Sequence, residues 1–354
     1  MTVRVALIGC GFIGRFHSAA IRAVVSRELL DVEYVAVCDE NADRARSFAR
    51  ITGAEATTDA AAVIDSPDID AVYICVPTAH HKELVLRAAA QGKHIFCEKP
   101  LATNLADVEE MVAAVDAANV KSAVGLVLRH SPILTVLHEL IQDGMLGRLM
   151  TVVFRDDQFF PITGQYESDW RKDVTIAGAG TLLEHSIHDI DVLHWLAGPV
   201  RSVRGTIRNF AGHEGIEDLV VATLDFESGA QASLTSIWHS VIGRPSTRLI
   251  ELFFERGIFH LDHDYLGPIQ LQKHALSAET IPEKEVQRRY LEMMELDADE
   301  FEGMLRYSLE DYAFLKSLTE GLAPFPDFHT ALAAHRVVDA IYRSGEGGGQ
   351  DVLL

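Results

Sequence analysis

The sequence is short of several things, and each shortage excludes something. No apolar run approaches the ~18 residues that a membrane-crossing helix needs. Cysteine is scarce: Cys10, Cys38, Cys75 and Cys97 all lie in the first hundred residues, and no two of them form a CxxC pair. The cysteines therefore lack metal-binding spacing, and reduced thiols at strand ends of a cytoplasmic protein are the expectation. Positive charge is also in deficit. Against 52 Asp and Glu there are 31 Lys and Arg, a formal charge of −21 over 354 residues. A surface that acidic repels phosphate backbones and anionic lipid, so neither nucleic acid nor a membrane is expected as a partner. No internal repeat and no low-complexity tract is visible.

What is present is a folding composition, 48% hydrophobic and 23% charged, long enough for two domains. Over residues 1–126, short apolar runs alternate with helical patterns. The runs are Val3–Ile8, Val32–Cys38, Ala71–Val76, His94–Cys97 and Ser122–Leu126. The helical patterns are Phe12–Arg27, Asn41–Thr52, His80–Gln91 and Leu105–Ala118. Such alternation predicts βαβ units and a parallel, doubly wound sheet of the Rossmann kind, its strands buried on both faces. From residue 127 the pattern changes. A helix at Pro132–Asp143, a long strand at Arg148–Phe159 and a helix at Leu182–Leu196 precede a succession of strands over Val200–Leu271. Helices follow at about Ala298–Glu320 and Thr330–Ser344. The expectation for residues 127–354 is an α+β domain with an open, mostly antiparallel sheet, with the allowance that its last helices pack back on the first domain. The uncovered face of that sheet predicts a homo-oligomer, dimer or tetramer.

Gly9-Cys-Gly11-Phe12-Ile13-Gly14 matches GxGxxG between the first strand and the first helix, the context the motif requires. The first glycine permits a tight turn, the second lets backbone approach a pyrophosphate, and the third lets helix and strand pack closely. Asp39 ends the second strand, 25 residues after Gly14, where a carboxylate accepts from an adenosine ribose hydroxyl and repels a 2′-phosphate. NAD is expected over NADP. The alternative for Asp39 is a cap on the following helix, and Arg44 reads as a solvated helix residue.

Glu184, His188 and Asp191 are spaced i, i+4 and i+7, which predicts one helical face at the edge of an apolar stripe of Leu183, Ile187 and Ile190. A second reading makes Thr181-x-x-Glu184 a capping box that turns Glu184 back on its own helix. His185, His188, Asp191 and His194 have spacing that can suit zinc. Phe159, Phe160 and Tyr166 fall in a loop, where they suit either a sugar-stacking face or a hydrophobic cover.

Two further segments, Glu98-Lys99-Pro100 at a strand end and Gly180-Thr-Leu-Leu-Glu184-His-Ser-Ile-His188-Asp-Ile-Asp191, join the glycine loop in order. Together they resemble the Gfo/Idh/MocA family of glucose–fructose oxidoreductase and inositol dehydrogenase-like enzymes, over essentially the whole chain. The resemblance implies a Rossmann domain, a bound nicotinamide cofactor, no metal, and oxidation or reduction of a sugar or cyclic polyol. It implies that Lys99 and His188 form the catalytic pair, with Glu98 a contact on the ribose or nicotinamide side. Pro77, Thr78 and His81 resemble a segment near the nicotinamide ribose. Arg129, Trp170 and Arg171 resemble segments that line the substrate. Where the family usually has Asp and then Gly, this chain has Glu184 and Ser186, a difference that bears on substrate contact more than on hydride transfer. Two rivals stand beside the dehydrogenase. One is a glycosidase with a retained NAD. The other is a non-catalytic NAD-binding regulator, which would be expected to lose Lys99 or His188.

Overall fold

The computed structural model describes residues 2–164, 166–273 and 278–354, apart from the side chains of residues 302, 306 and 307. It divides into two compact units, Met1–Leu126 with Met304–Leu332 and Val127–Gly303 with Ala333–Leu354. The break after Leu126 falls where the strand–helix alternation ends. Residues 304–332, assigned by linear order to the second domain, lie in the first unit.

In the first unit the chain runs β1 (Val3–Ile8), α1 (Phe12–Ser26), β2 (Val32–Cys38), α2 (Ala42–Thr52), β3 (Glu55–Thr57), α3 (Ala60–Asp65), β4 (Ala71–Ile74), α4 (His81–Ala90), β5 (His94–Cys97), α5 (Leu105–Ala118) and β6 (Ser122–Val124). The strands form one sheet in the order β3-β2-β1-β4-β5-β6, every pair parallel. This is the doubly wound arrangement in which ligands bind beyond the carboxyl ends of the strands. Val5, Leu7, Val72, Ile74 and Ile95 are fully or almost fully buried, which explains their continuous apolar runs. Sequence reading did not anticipate β3 and α3. The first has three residues, none of them buried, and the second has six, too short for a helical period to register.

The returning segment completes this core. Helix Glu310–Thr319 packs on α1 and β1, and its Phe314 meets the rings of Tyr73 and Phe96 edge-on. Phe328, Ala331 and Leu332 join the apolar cluster that also holds Val85, Val108 and Met111 of α4 and α5.

The second unit contains α6 (Pro132–Gln142), β7 (Leu149–Phe159), α7 (Val174–Ala177), α8 (Thr181–Glu184), α9 (Ile187–Ala197), β8 (Val200–Arg208), β9 (Leu219–Phe226), β10 (Gln231–His239), β11 (Thr247–Phe254), β12 (Gly257–Leu261), β13 (Ile269–Gln272), β14 (Ala278–Ile281), α10 (Glu283–Met293) and β15 (Val352–Leu353). Its nine-stranded sheet has the order β14-β13-β12-β11-β7-β10-β9-β8-β15. The expected succession is not a simple meander, because β7 inserts between β11 and β10 and runs parallel to β10. The inner face is apolar and packs against α8 and α9. The outer face carries Val153 and Val221, 41% and 44% exposed, with Ile237, Leu249, Phe253 and Ile258 half-buried. Among the described residues no helix is long and apolar enough to cross a membrane.

Candidate active site

The glycine loop has the geometry of a phosphate cradle. Gly9 has φ +105°, and a Cβ there would lie 2.3 Å from the Cys75 carbonyl oxygen. A Cβ on Gly14 would lie 2.1 Å from the Gly9 carbonyl oxygen, so strand-to-helix packing depends on its absence. Gly11 is the N-cap of α1. No side chain caps that helix, and its first turn, which holds Phe12 and Ile13, contains no acid. Its amides and dipole suit an anion, so the residues present fit the diphosphate of a dinucleotide.

Asp39 is 7% exposed and closes the second strand beside this loop. Its Oδ2 accepts from the Cys10 amide at 2.8 Å and its Oδ1 from the Asn41 amide at 2.8 Å. The cap of α2 is Asn41, not Asp39. Arg44, expected to be a solvated helix residue, pairs with Asp39 at 2.8–2.9 Å while remaining 47% exposed. Pro77 precedes a single 3-10 turn, Thr78–His80, in which Thr78 is buried. His81, expected near the nicotinamide ribose, has its ring held by the backbone around it. It is buried, with Nε2 2.8 Å from the Val76 carbonyl oxygen and Nδ1 3.0 Å from that of Pro100, so it ties the segment after β4 to the one after β5.

Glu98 likewise finds protein partners. Oε1 lies 2.8 Å from His17 Nε2, and Oε2 accepts from the Lys99 amide at 3.0 Å. The other nitrogen of His17, Nδ1, lies 2.8 Å from Asp311 Oδ1. Glu98 thus fixes the backbone at Lys99 through Oε2 while His17 holds its Oε1. Burial alone pushes the His17 pKa down, but Asp311 and Glu98 outweigh burial and hold it well above its ordinary value. Burial raises Glu310 and Asp311. Ligand atoms of His17, Glu310 and Asp311 lie within 4.8 Å of one another, but both imidazole nitrogens are already engaged by carboxylates, so ion pairing accounts for the cluster.

In the second unit the expected helix Leu182–Leu196 is broken. Helix α8 ends at Glu184, α9 begins at Ile187, and His185 and Ser186 stand between them. The Ser186 amide donates to the Thr181 carbonyl at 2.8 Å, a span of five residues that marks a widened turn. Glu184 and His188 therefore do not share one regular helical face. The capping box does not form either. The N-cap is Gly180, the Thr181 hydroxyl bonds Ser236, and Glu184 Oε2 accepts from Arg171 Nε at 3.0 Å. The N-terminus of α8 is held instead by Glu217, whose oxygens accept from the Gly180 amide at 2.6 Å and the Leu182 amide at 2.9 Å. Tyr342 donates to the same carboxylate at 2.8 Å.

His188, in the first turn of α9, is 7% exposed. Asp191, one turn later, is clasped by Arg129 through two bonds of 2.7 Å. Burial raises its pKa against that pairing. The Arg129 guanidinium also sits 4.8 Å from the Trp195 ring centroid. These two expected substrate contacts thus bond each other. Trp170 lies under the Arg171 guanidinium at 4.3 Å and packs against the small cluster of Phe160, Ala177, Ile216 and Trp238. Of the loop aromatics, Phe160 lies in this cluster and Phe159 is buried, its ring 5.4 Å from that of the half-buried Tyr166.

Sequence reading missed His17, Asp311 and Glu217. A histidine three residues after Gly14, one turn into the phosphate-loop helix, was a usable signal for the first. The other two lie too far along the chain for any local pattern to reveal them.

Comparison with known proteins gives the family and the fold. The model of an oxidoreductase family with an NAD-binding Rossmann fold matches residues 3–126, and that of a GFO/IDH/MocA C-terminal domain matches residues 134–260. Inositol 2-dehydrogenase of Rhizobium meliloti is 29% identical over 354 aligned residues, 97% of each chain. Levoglucosan dehydrogenase of Pseudarthrobacter phenanthrenivorans is 31% identical over 260 residues, a segment that spans 66% of each chain. A structure of levoglucosan dehydrogenase with NADH and levoglucosan has a TM-score of 0.87 to this chain. It covers 100% of this chain and 99% of its own at 24% identity, a likeness of fold.

Proposed function

The chain belongs to the Gfo/Idh/MocA oxidoreductase family, and from that premise we propose that it is an NAD-dependent dehydrogenase of a sugar or cyclic polyol, with Lys99 and His188 as the reacting pair. The observation that carries the reading is likeness along nearly the full length to an inositol 2-dehydrogenase, in a chain that keeps the phosphate cradle, Lys99 and His188.

Bound NAD supplies the hydride acceptor, carbon C4 of its nicotinamide. The chain's own residues do the rest. Gly9, Gly11 and Gly14 would hold the diphosphate at the N-terminus of α1, and Asp39 would accept from the adenosine ribose. Pro77 and Thr78 would border the nicotinamide end. As the C–H bond of a secondary alcohol gives up its hydride, the O–H proton passes to the imidazole of His188 and a carbonyl forms. Lys99 holds the reacting oxygen and assists the proton transfer. Its backbone is set by Glu98, which His17 in turn fixes. Glu184, Arg171, Trp170, Arg129 and Asp191 shape the substrate side. Glu184 is oriented by Arg171, and Asp191 by Arg129.

The open sheet face with Val153 and Val221 fits a homo-oligomer. Four buried free thiols fit the reducing cytoplasm. The deciding experiment is an absorbance screen for NADH, with NAD and NADP in parallel, against inositols, pyranoses and anhydrosugars. Turnover of at least one with NAD is expected. Absence of turnover across the panel, or carbohydrate hydrolysis without NADH release, overturns the reading.

A further inference from the structure

Three neighbouring strands of the second unit place a polar row on an otherwise apolar face. Arg248 of β11 lies opposite Asp156 of β7, and Asp156 lies opposite Ser236 of β10. The next row on the same face is Ile250, Phe154 and Leu234, all buried. Asp156 and Ser236 are fully buried and Arg248 is 7% exposed. Burying such groups costs free energy unless each is partnered, so their partners reveal what the row is for.

The partners converge on the break between α8 and α9. Ser236 Oγ lies 2.8 Å from Thr181 Oγ1 and 2.6 Å from Ser186 Oγ. Asp156 Oδ2 lies 3.2 Å from Ser186 Oγ and 2.9 Å from His185 Nε2. Arg248 Nε donates to Asp189 Oδ1 at 2.6 Å, and its Nη2 lies 3.2 Å from His185 Nε2. Arg248 Nη1 also donates to Asp264 Oδ2 at 2.5 Å. Thr181, His185, Ser186 and Asp189 are thus all tied to the row, and they bracket both Glu184 and His188. A continuous helix would stack Glu184 one turn from His188. The row instead engages the side chains of His185 and Ser186, and the amides of both residues turn to the one carbonyl of Thr181, at 3.1 and 2.8 Å, in the wide turn.

We propose that Arg248, Asp156 and Ser236 are positioning residues that hold this break and so set the placement of Glu184 relative to His188. The inference rests on the reading of those two residues as substrate-handling groups. Misplacement of a reacting group by about an ångström costs roughly 10²-fold in rate.

Ser236→Ala is the test, because it removes one hydroxyl at the centre of the row and little volume. Leu234→Ala, two residues away on the same strand and face, is the packing control. Turnover is measured on the panel sugar or polyol that wild type oxidises fastest, with melting temperature and peptide-level hydrogen exchange over residues 181–189. Ser236→Ala is expected to lower kcat roughly 10–100-fold, leave KM for NAD within about twofold, and speed exchange in that segment. Leu234→Ala is expected to lower the melting temperature more, yet keep kcat within about threefold. The proposal is overturned if Ser236→Ala keeps wild-type kcat and exchange, or if both variants lose kcat in proportion to melting temperature. Should no panel member be oxidised, the functional reading fails by itself, and exchange in the segment alone decides this inference.

Discussion

Cofactor choice can be worked through from the surroundings of Asp39. A 2′-phosphate of charge about −1.5, held ~5 Å from that carboxylate at an effective dielectric of ~20, is repelled by roughly 5 kcal/mol. Arg44 lies 2.8 Å from Asp39 and is 47% exposed, so it offsets part of this charge and solvent screens more. About 3 kcal/mol should remain, or roughly 10²-fold in kcat/KM for NAD over NADP. Asp39→Asn removes the charge but keeps one acceptor oxygen. The preference should then fall roughly tenfold or more. The substitution also leaves one oxygen to serve the amides of Cys10 and Asn41, which now use both, so stability should drop by about 1–3 kcal/mol. Arg44→Met should act the other way and sharpen the preference, because the carboxylate loses its counter-charge. The assay is initial-rate kinetics with both cofactors, alongside thermal melts. Wild type using NADP as well as NAD would refute the reasoning, as would an unchanged ratio in Asp39→Asn.

Four further outcomes are expected. His188→Ala should lower turnover roughly 10²–10⁴-fold, with NADH affinity by fluorescence titration unchanged. Glu184→Gln should raise the substrate KM while the melting temperature holds, since the capping box is absent and the amide oxygen can still accept from Arg171; a fall in stability with unchanged kinetics contradicts this. Val153→Arg should shift the protein to a smaller species by light scattering, whereas a monomeric wild type at micromolar concentration would remove the assembly argument. Burial pushes Asp189 up to about 7, so the folded state holds a proton that the unfolded chain releases near pH 4. Its contribution to stability therefore declines as pH rises from about 4 to 7, and Asp189→Asn should flatten the melting profile across that window, with an unchanged slope as the contrary result.

Much of the first unit was legible because its signals are local. Central strands buried on both faces must be apolar throughout, and the helices between them keep their own period. Gly9 and Gly14 are dictated by close approaches, Gly9 to the adjacent strand and Gly14 within one strand–turn–helix segment, while a Cβ on Gly11 would meet nothing within 4 Å; a six-residue motif reports all three because they fall in one local segment. Lys99 and His188 could be singled out because each lies in a short contiguous motif, Glu98-Lys99-Pro100 and Gly180 to Asp191, that carries the family resemblance.

Sequence by itself thus determined the parallel Rossmann sheet, the phosphate cradle, the strand-end carboxylate and the open sheet that follows. Tertiary structure alone decided which charge meets which. Arg129 meets Asp191 across 62 residues and His17 meets Asp311 across 294, distances at which no periodicity operates. It also decided that the helix carrying His188 starts at Ile187. Local propensity favours one helix from Leu182 onward. The register of β11, β7 and β10 brings Arg248, Asp156 and Ser236 beneath that stretch, and buried polar groups that must find partners draw His185 and Ser186 out of it.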